Sequence, residues 1–179
     1  MGSHAPAGVL NGETAAVIVK TVIVPTIHGM ANEGRSYSGC LYAGLMLTPK
    51  GPKVLEFNCR FGDPETQVQM LRLEDDLAEL LLKVARGNLG DTKLNWKKEA
   101  AACVVVAVEG YPEDHPKGQE VAIDPVDETS VVLFHAGTVK KAGKLVNVAG
   151  RVISVCAHAT TLRDAPNKVY EAVPKVRIE

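Results

Sequence analysis

The chain has 179 residues, 46% of them hydrophobic and 23% charged, with a formal net charge of −1. That length carries one domain or two small ones with a real core, and the balance is that of an ordinary folded chain rather than a disordered tail. No basic excess is available to neutralise phosphates, which excludes a broad nucleic-acid surface. No apolar run is read as long enough to span a bilayer, and no signal-peptide pattern is seen.

In chain order, Met1-Gly-Ser-His4 reads as an expression scar outside the fold. Val17 to Val24 is ambiguous. Its β-branched residues favour a strand, whereas Asn11, Glu13 and the polar Lys20 and Thr21 suit a helix starting near residue 12. Residues 35–37 read as a loop. Residues 39–48 read as an apolar, interior strand, and Pro49-Lys-Gly-Pro52 as a turn leading into an antiparallel partner. Residues 63–72 form a short helix. Asp75 and Asp76 cap a second helix through Arg86, with Leu77, Leu80, Leu81 and Val84 as its core-facing stripe. The polar stretch near residues 88–98 marks a domain boundary. Beyond it, strands are expected at residues 102–108, 121–123, 131–137, 144–148 and 151–157, then a helix from Thr161 to about Ala172 and an edge strand at 175–178. Pro166 is a helix breaker in an awkward place unless it falls in the first turn. The four cysteines, Cys40, Cys59, Cys103 and Cys156, sit in apolar runs and read as buried free thiols; their spacing fits no zinc site.

The chemistry concentrates in residues 54–65. On a strand, Glu56, Asn58 and Arg60 share one face, while Leu55, Phe57 and Cys59 share the other and suit a core. A carboxylate and an amide oxygen two residues apart can both reach a hard cation. An arginine beyond them can hold a phosphate or carboxylate through two hydrogen bonds. Gly62-Asp63-Pro64-Glu65 carries helix-start chemistry, with Asp63 as cap and Pro64 at the first helical position. A solvated strand face and a simple cap would explain the same residues.

Glu56-Phe-Asn-Cys-Arg-Phe-Gly-Asp-Pro-Glu-Thr-Gln67 resembles the signature of the phosphoribosylamine–glycine ligases (glycinamide ribonucleotide synthetases), ATP-grasp enzymes of purine biosynthesis. Tyr42-Ala-Gly-Leu-Met46, Pro25-Thr26 and Gly29-Met30 extend the likeness upstream. Gly110-Tyr-Pro112, Phe134-His-Ala-Gly-Thr138 and Gly150-Arg-Val152 extend it downstream. The resemblance implies an α+β fold: a partial ATP-grasp core of antiparallel strands with helices over residues 5–95, and a small C-terminal α+β domain over 96–179. It implies a helix, not a strand, from residue 12 to about Glu33. It implies ligation of glycine to 5-phosphoribosylamine at the expense of ATP, in the cytoplasm, by a monomer or dimer that needs neither nucleic acid nor membrane.

The same resemblance makes Glu56 and Asn58 ligands of Mg²⁺ or Mn²⁺ on the nucleotide. It makes Arg60 and Asp63 candidate catalytic residues, and Arg60, Glu65 and Arg151 candidate substrate contacts. His135 falls in a family motif but reads as an ordinary strand histidine. The family's substrate-binding domain, glycine-rich lid loop and phosphate-binding lysine are not found. The chain therefore reads as a C-terminal fragment, inactive alone. Another ATP-grasp carboxylate–amine ligase and a non-catalytic binding module are the alternatives.

Overall fold

The computed structural model describes residues 1–179. In chain order the elements are β1 (Gly2–Ala5), α1 (Gly12–Ile18), a π-helical turn (Val19–Ile23), α2 (Val24–Asn32), β2 (Tyr42–Thr48), β3 (Gly51–Asn58), α3 (Glu65–Arg72) and α4 (Leu77–Ala85). They continue with β4 (Ala100–Ala107), β5 (Val121–Ile123), β6 (Val131–His135), β7 (Thr138–Lys141), β8 (Lys144–Asn147), β9 (Arg151–Ala159), α5 (Asp164–Ala172) and β10 (Val176–Ile178). All strand pairings are antiparallel, so the α+β expectation holds. The chain forms two compact units that do not follow chain order. One contains residues 1–6, 63–73 and 96–179; the other contains residues 7–62 and 74–95.

The first unit is built on a four-stranded sheet in the order β1-β4-β9-β6. Alternate residues of β4 and β9 supply two different faces. Ala100, Ala102, Ile153, Val155, Ala157 and Ala159 join Ala165, Val169 and Ala172 of α5 in the main core. Ala101, Cys103 and Cys156 point the other way and pack with Val68 of α3. The sheet thus lies between two helices in three layers. Asn147 is fully buried yet satisfied: its Oδ1 accepts from Gln119 N at 2.7 Å and its Nδ2 donates to Pro116 O at 2.8 Å, fastening the loop before β5. Pro166 falls at the third residue of α5, within the turn whose N–H groups have no intrahelical acceptor, so it costs no helix bond there. Thr161 makes the expected capping contacts: its Oγ1 accepts from Asp164 N at 3.2 Å and its hydroxyl donates to the Asp164 carboxylate at 2.6 Å, although the regular helix begins only at Asp164.

Residues 2–5, set aside as a scar, belong to this fold. β1 pairs residue for residue with β4, Gly2 opposite Val104 and Ala5 opposite Ala101. Short polar residues hid the strand; a ready β4 edge supplies its hydrogen bonds. β7 was also missed. Its Thr-Val-Lys-Lys sequence has little apolar content, and it pairs only with β8 through a tight turn.

The second unit holds a long helix and the β2–β3 hairpin. Asn11 caps the helix, its Oδ1 accepting from Thr14 N at 2.8 Å. The strand reading of Val17–Val24 is wrong and the helix implied by the resemblance is right: the run is helical throughout, ending at Asn32. Pro25 lies in the first turn of α2, and the preceding π turn accommodates it. Taken as one helix, Gly12–Asn32 has 21 residues and a mean hydropathy of 1.5 over its most apolar window, long and apolar enough by length and composition to cross a membrane. That corrects the reading of the apolar runs: Lys20, Thr21 and Pro25 broke the run when it was read as strand, but a helix counts through them. Asp76 caps α4 as expected, accepting from Ala78 N and Glu79 N at 2.8 and 3.1 Å, and Gly87 follows its C-cap with φ of +67°.

Three core expectations fail in this unit. β2, read as an interior strand, pairs only with β3 and has no buried residue, and its Met46 and Leu47 are exposed, because no second layer within the unit covers the hairpin. The stripe on α4 has no fully buried member, and Leu81 is exposed. On β3, Leu55 and Phe57 are 65% and 40% exposed. A bulge lies opposite Gly44/Leu45, where Gly44 pairs with Glu56 and Leu45 with Val54, leaving Leu55 without an opposite residue. Alternation produced an apolar face, but nothing within the unit covers it. Cys59 is likewise exposed and Cys40 half-buried; only Cys103 and Cys156 are buried thiols.

Candidate active site

At the end of β3, Glu56 and Asn58 face the same way. Asn58 Nδ2 donates to Glu56 Oε1 at 2.9 Å. That bond occupies the amide nitrogen, so Asn58 offers its oxygen, and the carboxylate keeps a second oxygen. Opposite Glu56 stands Gly44; a Cβ there would lie 3.0 Å from Glu56 Cγ. A residue without a side chain at 44 is what lets Glu56 lie across the hairpin. Two hard oxygen donors at the end of a strand fit a Mg²⁺-type ion, which keeps several waters or phosphate oxygens in its shell. No group of three or more His, Cys, Asp or Glu capable of holding a metal forms anywhere in the chain, so a metal here would be held by few protein ligands.

Arg60 does not share this face as expected. β3 stops at Asn58, the chain bends, and the guanidinium turns back to donate to Phe61 O at 2.9 Å. Strand alternation could not carry two residues past the strand's end.

In the other unit, Asp63 and Arg151 meet. Arg151 Nη1 donates to the Asp63 main-chain oxygen at 3.0 Å and stands 3.5 Å from its Oδ2. Asp63 Oδ1 accepts from Gln67 Nε2 at 2.9 Å. Asp63 is therefore not the cap of α3. The helix starts at Glu65, after a cis Asp63–Pro64 peptide, and has no side-chain cap; the Asp63 carboxylate goes to Gln67 and Arg151 instead. Glu65 sits in the first turn of α3, where a negative charge is favoured by the helix dipole. Gln67 Nε2 also reaches Ser154 Oγ at 3.5 Å, and Gln67 Oε1 is buried with no hydrogen-bond partner. Gln67 closes the twelve-residue motif, so its place was visible, but its bond to Asp63 needed the turn geometry.

The remaining motif residues are structural in their contacts. His135 Nδ1 lies 2.8 Å from Thr138 Oγ1. Tyr111 packs its ring edge-on to His115 at a centroid distance of 6.1 Å. A Cβ at Gly150 would fall 2.3 Å from the Tyr111 ring, so the Gly-Tyr-Pro and Gly-Arg-Val motifs fit together through a missing side chain. Asp127 accepts from Ser130 Oγ, from Thr129 Oγ1 and from Thr129 N, at 2.7, 2.6 and 3.1 Å. These bonds, Ser130's first, pull its carboxyl down to about 2.

Two domain families match the sequence. Phosphoribosylglycinamide synthetase, ATP-grasp (A) domain, matches residues 1–66, and phosphoribosylglycinamide synthetase, C domain, matches residues 101–179. The first match begins at residue 1, which agrees with the pairing of β1. Phosphoribosylamine–glycine ligase of Caulobacter vibrioides is 47% identical over 183 residues, taking in 100% of this chain and 43% of its own length. The Pasteurella multocida protein of the same name is 48% identical over 179 residues, covering 99% of this chain and 42% of its own. The crystal structure of phosphoribosylamine–glycine ligase from Thermotoga maritima superposes with a TM-score of 0.83 at 33% identity, over 100% of this chain and 44% of that one. Biotin carboxylase from Campylobacter jejuni, at 15% identity and a TM-score of 0.73 over 100% of this chain and 39% of that one, shares the fold. The chain spans about two fifths of the length of the curated relatives it matches.

Proposed function

The chain belongs to the phosphoribosylglycinamide synthetase family, and from that we propose that it supplies part of the machinery for ATP-dependent ligation of glycine to 5-phosphoribosylamine. The products are glycinamide ribonucleotide, ADP and phosphate, in the cytoplasm. The observation that carries this reading is the Glu56–Asn58 pair at the end of β3, inside the family's signature. Residues 5–95 are taken as the C-terminal part of the ATP-grasp domain, and residues 96–179 as the small C-terminal domain.

ATP-grasp ligases use ATP with divalent metal ions, and Mg²⁺ or Mn²⁺ bound by Glu56 Oε and Asn58 Oδ1 would neutralise charge on the nucleotide phosphates. The protein's own contribution is positional. Asn58 Nδ2 fixes one carboxylate oxygen of Glu56, so that the other keeps one orientation. Arg60 is assigned to a phosphate or carboxylate of a substrate; its single bond to the Phe61 main-chain oxygen is cheap to exchange. In the other unit, Arg151 fixes Asp63, and both are assigned to substrate contact together with Glu65.

The test is Mn²⁺ binding to the 179-residue chain, followed by the loss of the free-ion paramagnetic signal. Glu56→Gln should weaken binding at least tenfold and Asn58→Leu by a similar factor, while Lys144→Ala leaves it unchanged. Equal binding in all four proteins removes the pair from the metal site. In a full-length relative, alanine at the position matching Glu56 should abolish ADP release in the presence of glycine and phosphoribosylamine.

A further inference from the structure

The central strands β4 and β9 place Cys103 directly opposite Cys156. Both side chains lie on the α3 face of the sheet, in one cluster with Ala101 and Val68. Both are free thiols, 2% and 0% exposed. Neither belongs to the motifs assigned to the ligase reaction.

Their backbone register decides what they can do. In an antiparallel ladder a residue sends its N–H and C=O to the same neighbour, and the next residue sends them to the other. Val105 N donates to Met1 O on the β1 side at 3.0 Å. Cys103, two residues earlier and before the bulge at Val106/Ala107, therefore also turns its main-chain groups towards β1. The position of its carbonyl agrees: a Cβ on Gly2 would fall 2.4 Å from Cys103 O. Cys103 and Cys156 thus form a non-hydrogen-bonded pair across β4 and β9. Such pairs have Cα atoms about 4.5 Å apart and the closer side chains of the two kinds, inside the roughly 4.4–6.8 Å window that a disulfide spans.

We propose that Cys103 and Cys156 are a thiol modification site that closes into a cross-strand disulfide under oxidation by a peroxide. The chemistry balances without another reactant. The Cys103 thiolate attacks one peroxide oxygen, forming a sulfenic acid and releasing hydroxide, which takes up the Cys103 proton as water. The Cys156 sulfur then displaces the sulfenic oxygen, and its own proton leaves with that oxygen as a second water. Two S–H bonds and one O–O bond are lost, one S–S bond is formed, and hydrogen peroxide is reduced to two waters. The pair is polarised for this order. The hydrogen bond between the thiols, with further bonds from Ser154 and Ser3, lowers the pKa of Cys103 and raises that of Cys156 well above its usual value. Access is through the thinner side of the sheet. There the cover is one buried side chain, Val68, with Leu71, Ala5 and Phe134 half-buried beside it, so lifting α3 exposes the pair.

The experiment treats the whole 179-residue chain with hydrogen peroxide, quenches with an alkylating agent in denaturant and maps the peptides by mass spectrometry. Exposed Cys59 is the internal control that oxidant was sufficient. The expected result is a peptide pair joining residues 103 and 156, lighter by two hydrogens, lost on dithiothreitol treatment and absent in both Cys103→Ala and Cys156→Ala. If Cys59 is oxidised while both 103 and 156 remain alkylated, or if they link only between chains or only when peroxide is added in denaturant, the proposal is overturned. Because the wild-type chain gives the decisive reading, a variant that fails to fold does not blunt it.

Discussion

The two compact units use similar residue types to opposite ends. In the unit of residues 1–6, 63–73 and 96–179, the strands carry Val, Ile, Ala and Cys, and two helices close over both faces of the sheet. In the unit of residues 7–62 and 74–95, the helix and β2 are also rich in apolar residues. Yet Val22 is the only buried hydrophobic side chain there, and Val17, Met46, Leu55 and Phe57 stay exposed. Secondary structure forms in both because capping and ladder hydrogen bonds are local. A core forms only where a second layer faces the first. The unit with the metal-strand candidates is thus the one whose own packing constrains it least, and the unit with Asp63 and Arg151 is the one held by a core.

The largest effect that tests this contrast comes from matched truncations. Ile153 is fully buried, and Ile153→Ala should cost about 2–5 kcal/mol. Leu55→Ala, at a side chain 65% exposed, should stay within about 0.5 kcal/mol. Far-ultraviolet circular dichroism during denaturant unfolding reads the helices and strands of both units, and the fluorescence of Trp96, the single tryptophan, reads the first unit alongside it. Comparable losses for the two variants would mean that Leu55 is covered and the contrast is false. A smaller effect belongs to the second unit's helix cap. Asp76→Ala removes the acceptor for Ala78 N and Glu79 N and should cost α4 about 1 kcal/mol. Amide hydrogen exchange at residues 78–85 should accelerate about fivefold, with no change at β4 or β9. Acceleration across β9 as well would join two regions that the fold separates.

The contrast also explains which parts of the structure were legible in the sequence. Elements marked by chemistry within a few residues were readable: the Asn11 and Asp76 caps, the Pro49–Pro52 turn, and the Glu56–Asn58 pair on one strand face. The fate of an apolar face was not, because Leu55, Phe57 and Leu81 have the same pattern whether or not a partner layer exists. β1 was missed for the converse reason; Gly-Ser-His-Ala has no strand pattern of its own and is a strand only because β4 offers an edge. Of the site residues, Glu56 and Asn58 were placed by periodicity. Arg60 and Asp63 were not, since both lie where the strand has ended and the turn decides direction. Helix against strand at Val17–Val24 was beyond β propensity, and only the family likeness resolved it.

The smallest expected effect concerns pH, and it tests whether the well-packed unit depends on its polar staples. Asp127 stands just before β6, and its main-chain oxygen accepts from Ser130 N and Val131 N at 3.1 and 2.8 Å. Its carboxylate holds Ser130 Oγ, Thr129 Oγ1 and Thr129 N, which lower its pKa from 3.8 to about 2. A depressed carboxyl pKa means the unfolded chain binds the proton more readily, so the stabilisation is fully present above the unfolded value of 3.8. It is lost as pH falls towards 2. Asp127→Asn has no such proton to gain. The wild-type chain should therefore unfold at a higher temperature than the variant near pH 6, and the gap should narrow steadily between pH 4 and 2. Thermal scans of both proteins across that range provide the check. Asp127 sits at the surface, where water screens charge, so the effect on the midpoint is small; it is the shape of the pH dependence that identifies the residue. A gap that stays constant down to pH 2 would show that the Asp127 carboxylate is not what anchors the start of β6.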